Sequence, residues 1–139
     1  MADFTIERLG HLGDGIAAGP ILVRRTLPGE VVEGEVTDGR IESPRIVKPS
    51  ADRVAPICSH YKSCGGCALQ HASEQFVEHW QQDVVMRALE AVGLSAPLRR
   101  LHSSPPKSRR RATFTGRRTK SIFKTFQERC RQRYLRQQD

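Results

Sequence analysis

Three cysteines stand close together in this 139-residue chain, in the order Cys58-x5-Cys64-Gly65-Gly66-Cys67. His60 and His71 flank them, and a fourth cysteine, Cys130, lies far downstream. Thiols this near in sequence converge at little chain-entropy cost, and the paired glycines let backbone N–H groups approach the sulfurs. Three chemistries use such a pattern. Disulfides are disfavoured, because the start Met1-Ala2-Asp3-Phe4-Thr5-Ile6-Glu7 lacks the basic and apolar regions of a secretion signal. A redox Cys-x-x-Cys belongs at the strand-to-helix junction of a thioredoxin-like fold, without a third cysteine beside it. A metal site is the strongest reading. Cys58, Cys64, Cys67 and His71 would complete a tetrahedral zinc site. A [4Fe-4S] cluster wants four thiolates, and so needs Cys130 or a ligand from elsewhere. Spacing alone leaves zinc and cluster both open.

The second chemical signal is charge. The net charge is +8, but it is unevenly placed. Residues 1–97 carry 9 Lys/Arg against 13 Asp/Glu, and residues 98–139 carry 14 against 2. A basic block of that density points to a polyanion, most commonly nucleic acid, with a solvated or disordered tail as the plain alternative. Arg109, Arg110, Arg111, Arg117, Arg118 and Lys120 are the best phosphate contacts, because arginine pairs bidentately with phosphate oxygens. Arg24, Arg25 and Arg40 are weaker candidates. Phe114 is a possible stacking platform, although a half-buried strand position suits it better. No apolar run approaches the roughly 20 residues of a membrane span, so a cytoplasmic monomer without membrane contact is expected.

The elements that must position these residues are mostly strands. Phe4, Ile6 and Leu9 alternate roughly, and the glycine-rich turn Gly10-His11-Leu12-Gly13-Asp14-Gly15 follows. The Gly10-x-x-Gly13-x-Gly15 spacing is not a dinucleotide fingerprint, since no helix follows it. Ile21-Leu22-Val23 is a short strand. Leu27-Pro28-Gly29-Glu30 is a turn in which proline presets φ and glycine supplies the positive one. Asp38-Gly39 predicts a type I′ hairpin between Val31–Thr37 and Arg40–Glu42, with Arg45-Ile46-Val47 continuing past Pro44. So many short strands suggest a small closed β-barrel. One helix is predicted over 73–92, capped by Ser73 and ended by Gly93, with Phe76, Val77, Trp80, Val84, Val85, Leu89 and Val92 along one apolar face. The proline-bearing stretch 94–108 reads as a linker, 109–115 as a strand, and 121–139 as a loose helix.

These residues carry a resemblance. Pro56-Ile57-Cys58-Ser59-His60-Tyr61-Lys62-Ser63-Cys64-Gly65-Gly66-Cys67-Ala68-Leu69-Gln70-His71 resembles the cluster motif of the RNA uracil-5-methyltransferases of the bacterial 23S rRNA type. Leu27-Pro28-Gly29-Glu30 and Pro49-Ser50-Ala51-Asp52-Arg53-Val54 resemble that family's TRAM domain and its junction, in the same order, over about residues 5–118. The resemblance implies a mainly β architecture with one helix. An OB-like TRAM barrel that binds RNA would occupy 1–50, and an iron–sulfur motif with the amphipathic helix 51–93. A linker and the start of a central domain would fill 94–120, and an atypical basic tail 121–139. It further implies Cys58, Cys64 and Cys67 as [4Fe-4S] ligands, with the fourth from a later domain, and S-adenosylmethionine as methyl donor in the full-length enzyme. The family's cysteine nucleophile and base have no counterpart here, so no catalytic residue is assigned. The expectation is a truncated N-terminal portion that binds RNA, of rRNA type, without transferring methyl groups. A stand-alone RNA-binding accessory module and a zinc-binding structural protein are the alternatives. Residues 121–139 depart from the family pattern, as a frameshifted or otherwise replaced end would; in that case Cys130 is accidental, and otherwise it stays open as a ligand.

Overall fold

The structure, a computed structural model, describes residues 2–64 and 66–104, and of Cys64 it describes the backbone alone. Six strands run in chain order: β1 (Ala2–Leu9), β2 (Gly15–Ala17), β3 (Ile21–Val23), β4 (Val31–Gly34), β5 (Arg40–Ile41) and β6 (Arg45–Lys48). A single helical turn, α1 (Tyr61–Cys64), and one long helix, α2 (Glu74–Ala91), follow. The predicted strand on 109–115 and helix on 121–139 lie outside the described residues.

The strands form one curled sheet in the order β5-β3-β2-β1-β4-β6. β1 makes the curl possible, because its first half pairs with β4 and its second half with β2. A bulge between Ile6 and Arg8 lies where the strand changes partners. The bulge also explains why Ile6 and Leu9, three residues apart, both point inward: one extra residue shifts the alternation by one. The interior is aliphatic, as expected of a chain with so few aromatic residues. Ile6, Ala17, Val23, Val32 and Ile41 form its buried centre, with Phe4, Ile21 and Ile46 packed against it.

The expected OB-like β fold is present as a half-barrel, with two differences. β5 pairs in parallel with β3, and β4 pairs with β1 and β6, so β4 and β5 are not hairpin partners. The predicted turn itself is there. Asp38 and Gly39 have φ of 51° and 73°, and Thr37 and Arg40 exchange both backbone hydrogen bonds, the geometry of a type I′ turn. The ladder stops after that one bridge, because β4 has stronger neighbours in β1 and β6. Secondly, among the described residues the sheet order ends on β5 and β6, so the barrel is not closed by hydrogen bonds there. Closure is by packing: Ile41 on β5 lies over Gly34 on β4.

α2 starts and stops where its sequence directs. Ser73 Oγ accepts from the Phe76 N–H at 3.2 Å and donates to Asp52 Oδ1 at 3.1 Å. At the other end Gly93 (φ 72°) and Leu94 return hydrogen bonds to Glu90 and Leu89, a Schellman motif. Ser73→Ala is expected to lower stability by about 1 kcal/mol, the usual cost of a lost N-cap, measured by urea unfolding. The predicted apolar face is only partly used. Phe76, Val77 and Trp80 pack on a second cluster built from Leu9, Leu27 and Ala72, whereas Val85 and Val92 remain 46% and 68% exposed. The following stretch, irregular as expected, runs back beside α2 as far as Ser103, whose hydroxyl hydrogen-bonds Glu74 and Glu78. No helix among the described residues is long and apolar enough to cross a membrane.

Candidate functional site

The cysteine loop is zipped at its base. Val54 N–H donates to His71 O at 3.0 Å and Ser73 N–H to Asp52 O at 2.8 Å, around a bridge between Arg53 and Ala72. Between these ends the chain runs out through Cys58, turns once as α1 and returns through Cys67. The α1 turn is local chemistry: Tyr61 N–H bonds Cys58 O and Ser63 N–H bonds His60 O. The Gln70 side chain then accepts from the Cys58 N–H at 3.1 Å, tying the outgoing strand of the loop to the returning one. Cys58 is half-buried and Cys67 exposed, and Cys64 closes α1 between them.

Beneath the loop lies a polar pair that the aliphatic core does not supply. Tyr61 is 5% exposed and His71 1%. The Tyr61 hydroxyl donates to Ala68 O and sits 2.6 Å from His71 Nδ1, while His71 Nε2 faces Thr26 O at 3.4 Å. Burial pushes the His71 ring below its ordinary value of 6.5, and the Thr26 carbonyl only partly opposes this. The ring is therefore neutral at pH 7 and carries a single N–H. The one Tyr61 hydroxyl proton goes to Ala68 O, so towards His71 the tyrosine oxygen can act only as acceptor, from Nδ1. Burial raises the Tyr61 pKa despite nearby Arg25.

This pairing corrects the zinc set. With Nδ1 turned to Tyr61, Nε2 to Thr26 O and the ring 1% exposed, neither nitrogen of His71 is directed to a metal beside Cys58, Cys64 and Cys67. Among the described residues no three His, Cys, Asp or Glu side chains gather as a metal site. The loop carries the thiols of Cys58 and Cys67 and, by sequence, Cys64 and the imidazole of His60. Soft sulfur ligands on a loop whose shape is set by other contacts suit a thiolate-held group such as zinc or an iron–sulfur cluster.

His71 also makes stability depend on pH. A buried base with a lowered pKa takes up its proton in the unfolded chain first, so stability is lost as pH falls through about 6.5. The urea midpoint of the wild-type protein is expected to drop between about pH 7.5 and about pH 5.5, and His71→Gln should remove most of that slope.

A second group holds the barrel side of the site. Glu30 is fully buried and is bracketed by donors: the Arg53 guanidinium through two nitrogens, Leu27 N–H at 2.8 Å and Ser50 N–H at 3.1 Å. Burial alone would raise its carboxyl. The Arg53 hydrogen bond and the two backbone donors outweigh that and leave it below 4.5. Arg53 also donates to Arg25 O at 2.9 Å. Arg25 sits in the left-handed region (φ 56°), its guanidinium 5.6 Å from the Tyr61 ring centroid and donating to Lys62 O. No role for Tyr61, Glu30, Arg53 or Thr26 is marked by spacing in the sequence; Glu30, Arg53 and Tyr61 lie in the stretches 27–30, 49–54 and 56–71 that carry the resemblance, and Thr26 lies in none.

Beside the loop is an open polar cleft of about 390 Å³ whose lining includes Arg24, Arg25, Arg40, Asp14, Glu42 and Cys67. Two of the three barrel arginines meet carboxylates there, Arg24 with Glu42 at 2.9 Å and Arg40 with Asp14 at 3.0 Å. Such exposed pairs are worth little. Arg109, Arg110, Arg111, Phe114, Arg117, Arg118, Lys120 and Cys130 lie outside the described residues.

Comparison with known proteins follows the same lines. No family model matches the chain. An uncharacterized RNA methyltransferase of Caulobacter vibrioides is 41% identical over 121 residues, covering 84% of this chain and 29% of its own length. A 23S rRNA (uracil(1939)-C(5))-methyltransferase of Vibrio cholerae is 39% identical over 107 residues, 68% of this chain and 24% of its own. The chain thus spans under a third of the length of these relatives. Among solved structures, the Pyrococcus abyssi tRNA (uracil-54, C5)-methyltransferase in complex with S-adenosyl-L-homocysteine superposes with a TM-score of 0.50 at 26% identity, over 63% of this chain and 21% of the other.

Proposed function

We propose, from the premise that the matched part of this chain belongs to the RNA uracil-C5 methyltransferase family, that it forms the RNA-holding and cluster-holding N-terminal part of such an enzyme. The half-barrel with its cysteine loop would occupy residues up to about 93, and the basic stretch that follows would be the RNA grip. The observation that carries this is the loop itself: three cysteines on one zipped loop, seated on a β half-barrel, in a stretch similar to these methyltransferases.

Within this reading Cys58, Cys64 and Cys67 would hold a [4Fe-4S] cluster, with its fourth ligand from elsewhere. When bound, the cluster supplies a cross-link through thiolates across the loop. Methyl transfer from S-adenosylmethionine is assigned to sequence that the relatives carry beyond the matched part, and no described residue takes a role in it. RNA would lie along the half-barrel and its cleft, with Arg109, Arg110, Arg111, Arg117, Arg118 and Lys120 on phosphates. An rRNA segment is the expected target.

Two measurements test this. Protein purified without oxygen is expected to absorb broadly near 400 nm and to carry iron and sulfide in step; stoichiometric zinc without sulfide overturns the cluster. Binding to a single-stranded rRNA fragment should weaken with salt, and replacing Arg109, Arg110 and Arg111 together by alanine should reduce the log–log salt slope by about 2. An unchanged slope removes those three from the interface.

A further inference from the structure

The loop that carries the cysteines meets the half-barrel through Leu69, which packs on the Leu9–Leu27 cluster, through Lys62 O, and through two polar side chains, Tyr61 and His71. Tyr61, the first residue of α1, sends its hydroxyl to Ala68 O, next to Cys67, and to His71 at the base of the loop. His71 then faces Thr26 O on the barrel. Over the other side of the Tyr61 ring lies Arg25, the neighbour of Thr26, whose guanidinium also bonds Lys62 O within α1. Arg25 is held in turn by Arg53, which is fixed on buried Glu30. Gly13 completes the seat: a Cβ there would press on the Ala68 side chain and touch that of Leu69.

We propose that Tyr61 and His71 are positioning residues for the thiolate site. They pin the outgoing and returning arms of the cysteine loop to each other and to the Arg25–Thr26 turn, so that the loop keeps its shape before any metal arrives. The tyrosine hydroxyl is the centre of this arrangement, because from α1 it meets two groups of the returning arm, Ala68 O and the His71 ring, beside the tie from Cys58 N–H to the Gln70 side chain. A preset loop holds its group more tightly than one that must be ordered on binding, and partners behind the ligands typically matter by 10–100-fold in metal affinity. The inference rests on the reading that this loop holds a thiolate-bound group, although its structural half does not require the group to be present.

Tyr61→Phe is the informative variant, since it keeps the ring under Arg25 and removes only the hydroxyl. His71→Asn is the second. Each is compared with wild type in the complete chain by amide hydrogen exchange of the metal-free protein, and by the rate at which a chelator strips iron from protein reconstituted with iron and sulfide. Exchange between Cys58 and His71 is expected to speed up about tenfold in Tyr61→Phe while the β1 and β4 amides keep their protection. The chelator should strip its iron roughly tenfold faster. Unchanged loop exchange overturns the inference, and so does iron loss equal to that of wild type. Loss of protection in β1 and β4 as well would make both residues general core supports, which also overturns it. If wild type takes up no iron while Tyr61→Phe still frees the loop, the cluster reading fails and the positioning role stands.

Discussion

Arg53→Met is expected to destabilise the protein by roughly 3 kcal/mol at pH 7, the scale set by breaking a buried ion pair on one side. The methionine fills much of the arginine stem's volume, so the loss is chiefly electrostatic. Glu30 stays at 0% exposure and keeps only the Leu27 and Ser50 N–H donors, too few to offset the removal of a carboxylate from water. The dependence on pH separates this from simple loss of packing. In wild type the Glu30 carboxyl is held below 4.5, so its contribution is complete above that value and disappears as pH falls through its lowered folded pKa. In the variant, burial is opposed by two backbone donors alone, the carboxyl rises, and protonation relieves the fold instead of straining it. The gap between variant and wild type in urea unfolding should therefore narrow steadily on acidification. A gap that stays constant from neutral to acid pH would show that Arg53 matters for its packing alone. Glu30→Gln combined with Arg53→Met should recover part of the neutral-pH loss, because no charge is then left buried.

What the sequence makes legible is local. Leu27-Pro28-Gly29-Glu30 reads as a turn because proline and glycine fix their own φ, and the structure has Gly29 at φ 80° with Glu30 N–H bonded to Leu27 O. Ser73 and Gly93 read as helix ends for the same reason: each cap acts within a few residues of itself. Pairing between distant strands has no such local mark. Asp38-Gly39 gives the turn, but whether β4 then follows β5 or turns to β1 and β6 is decided by neighbours far along the chain. The same limit hides the ion pair, since a glutamate in a turn and an arginine 23 residues later look like two surface charges. His71 shows the opposite failure. Its nearness to three cysteines suggests a ligand, yet the side chain is spent on Tyr61 and Thr26. The resemblance to RNA methyltransferases points to the family of the relatives, whereas spacing alone leaves the cysteines between zinc and cluster.

Gly34→Ala carries the other large expectation. The last residue of β4 faces Ile41 of β5, and a Cβ at position 34 would overlap Ile41 Cγ2 far inside contact distance. Ile41 cannot give way, because it is 1% exposed and packed among Ile6, Ala17, Val23 and Val32. This contact lies between strands that share no ladder, so it is where packing stands in for the hydrogen bonds of a closed barrel. Forcing it apart should cost about 3 kcal/mol, at the upper end for an overpacked core, and should separate β5 from β4 before it disturbs β1. Gly29 and Gly39 calibrate the number. Both have positive φ, and neither has an atom within 4 Å of where a Cβ would stand, so alanine there brings backbone strain alone, about 1 kcal/mol. If Gly34→Ala unfolds no more easily than Gly39→Ala, the half-barrel is not held shut by Ile41. If the difference appears, Ile41→Ala in the Gly34→Ala background should relieve the overlap while adding its own cavity cost. The double variant is then less destabilised than the two single changes added together, and that non-additivity is the signature of direct contact.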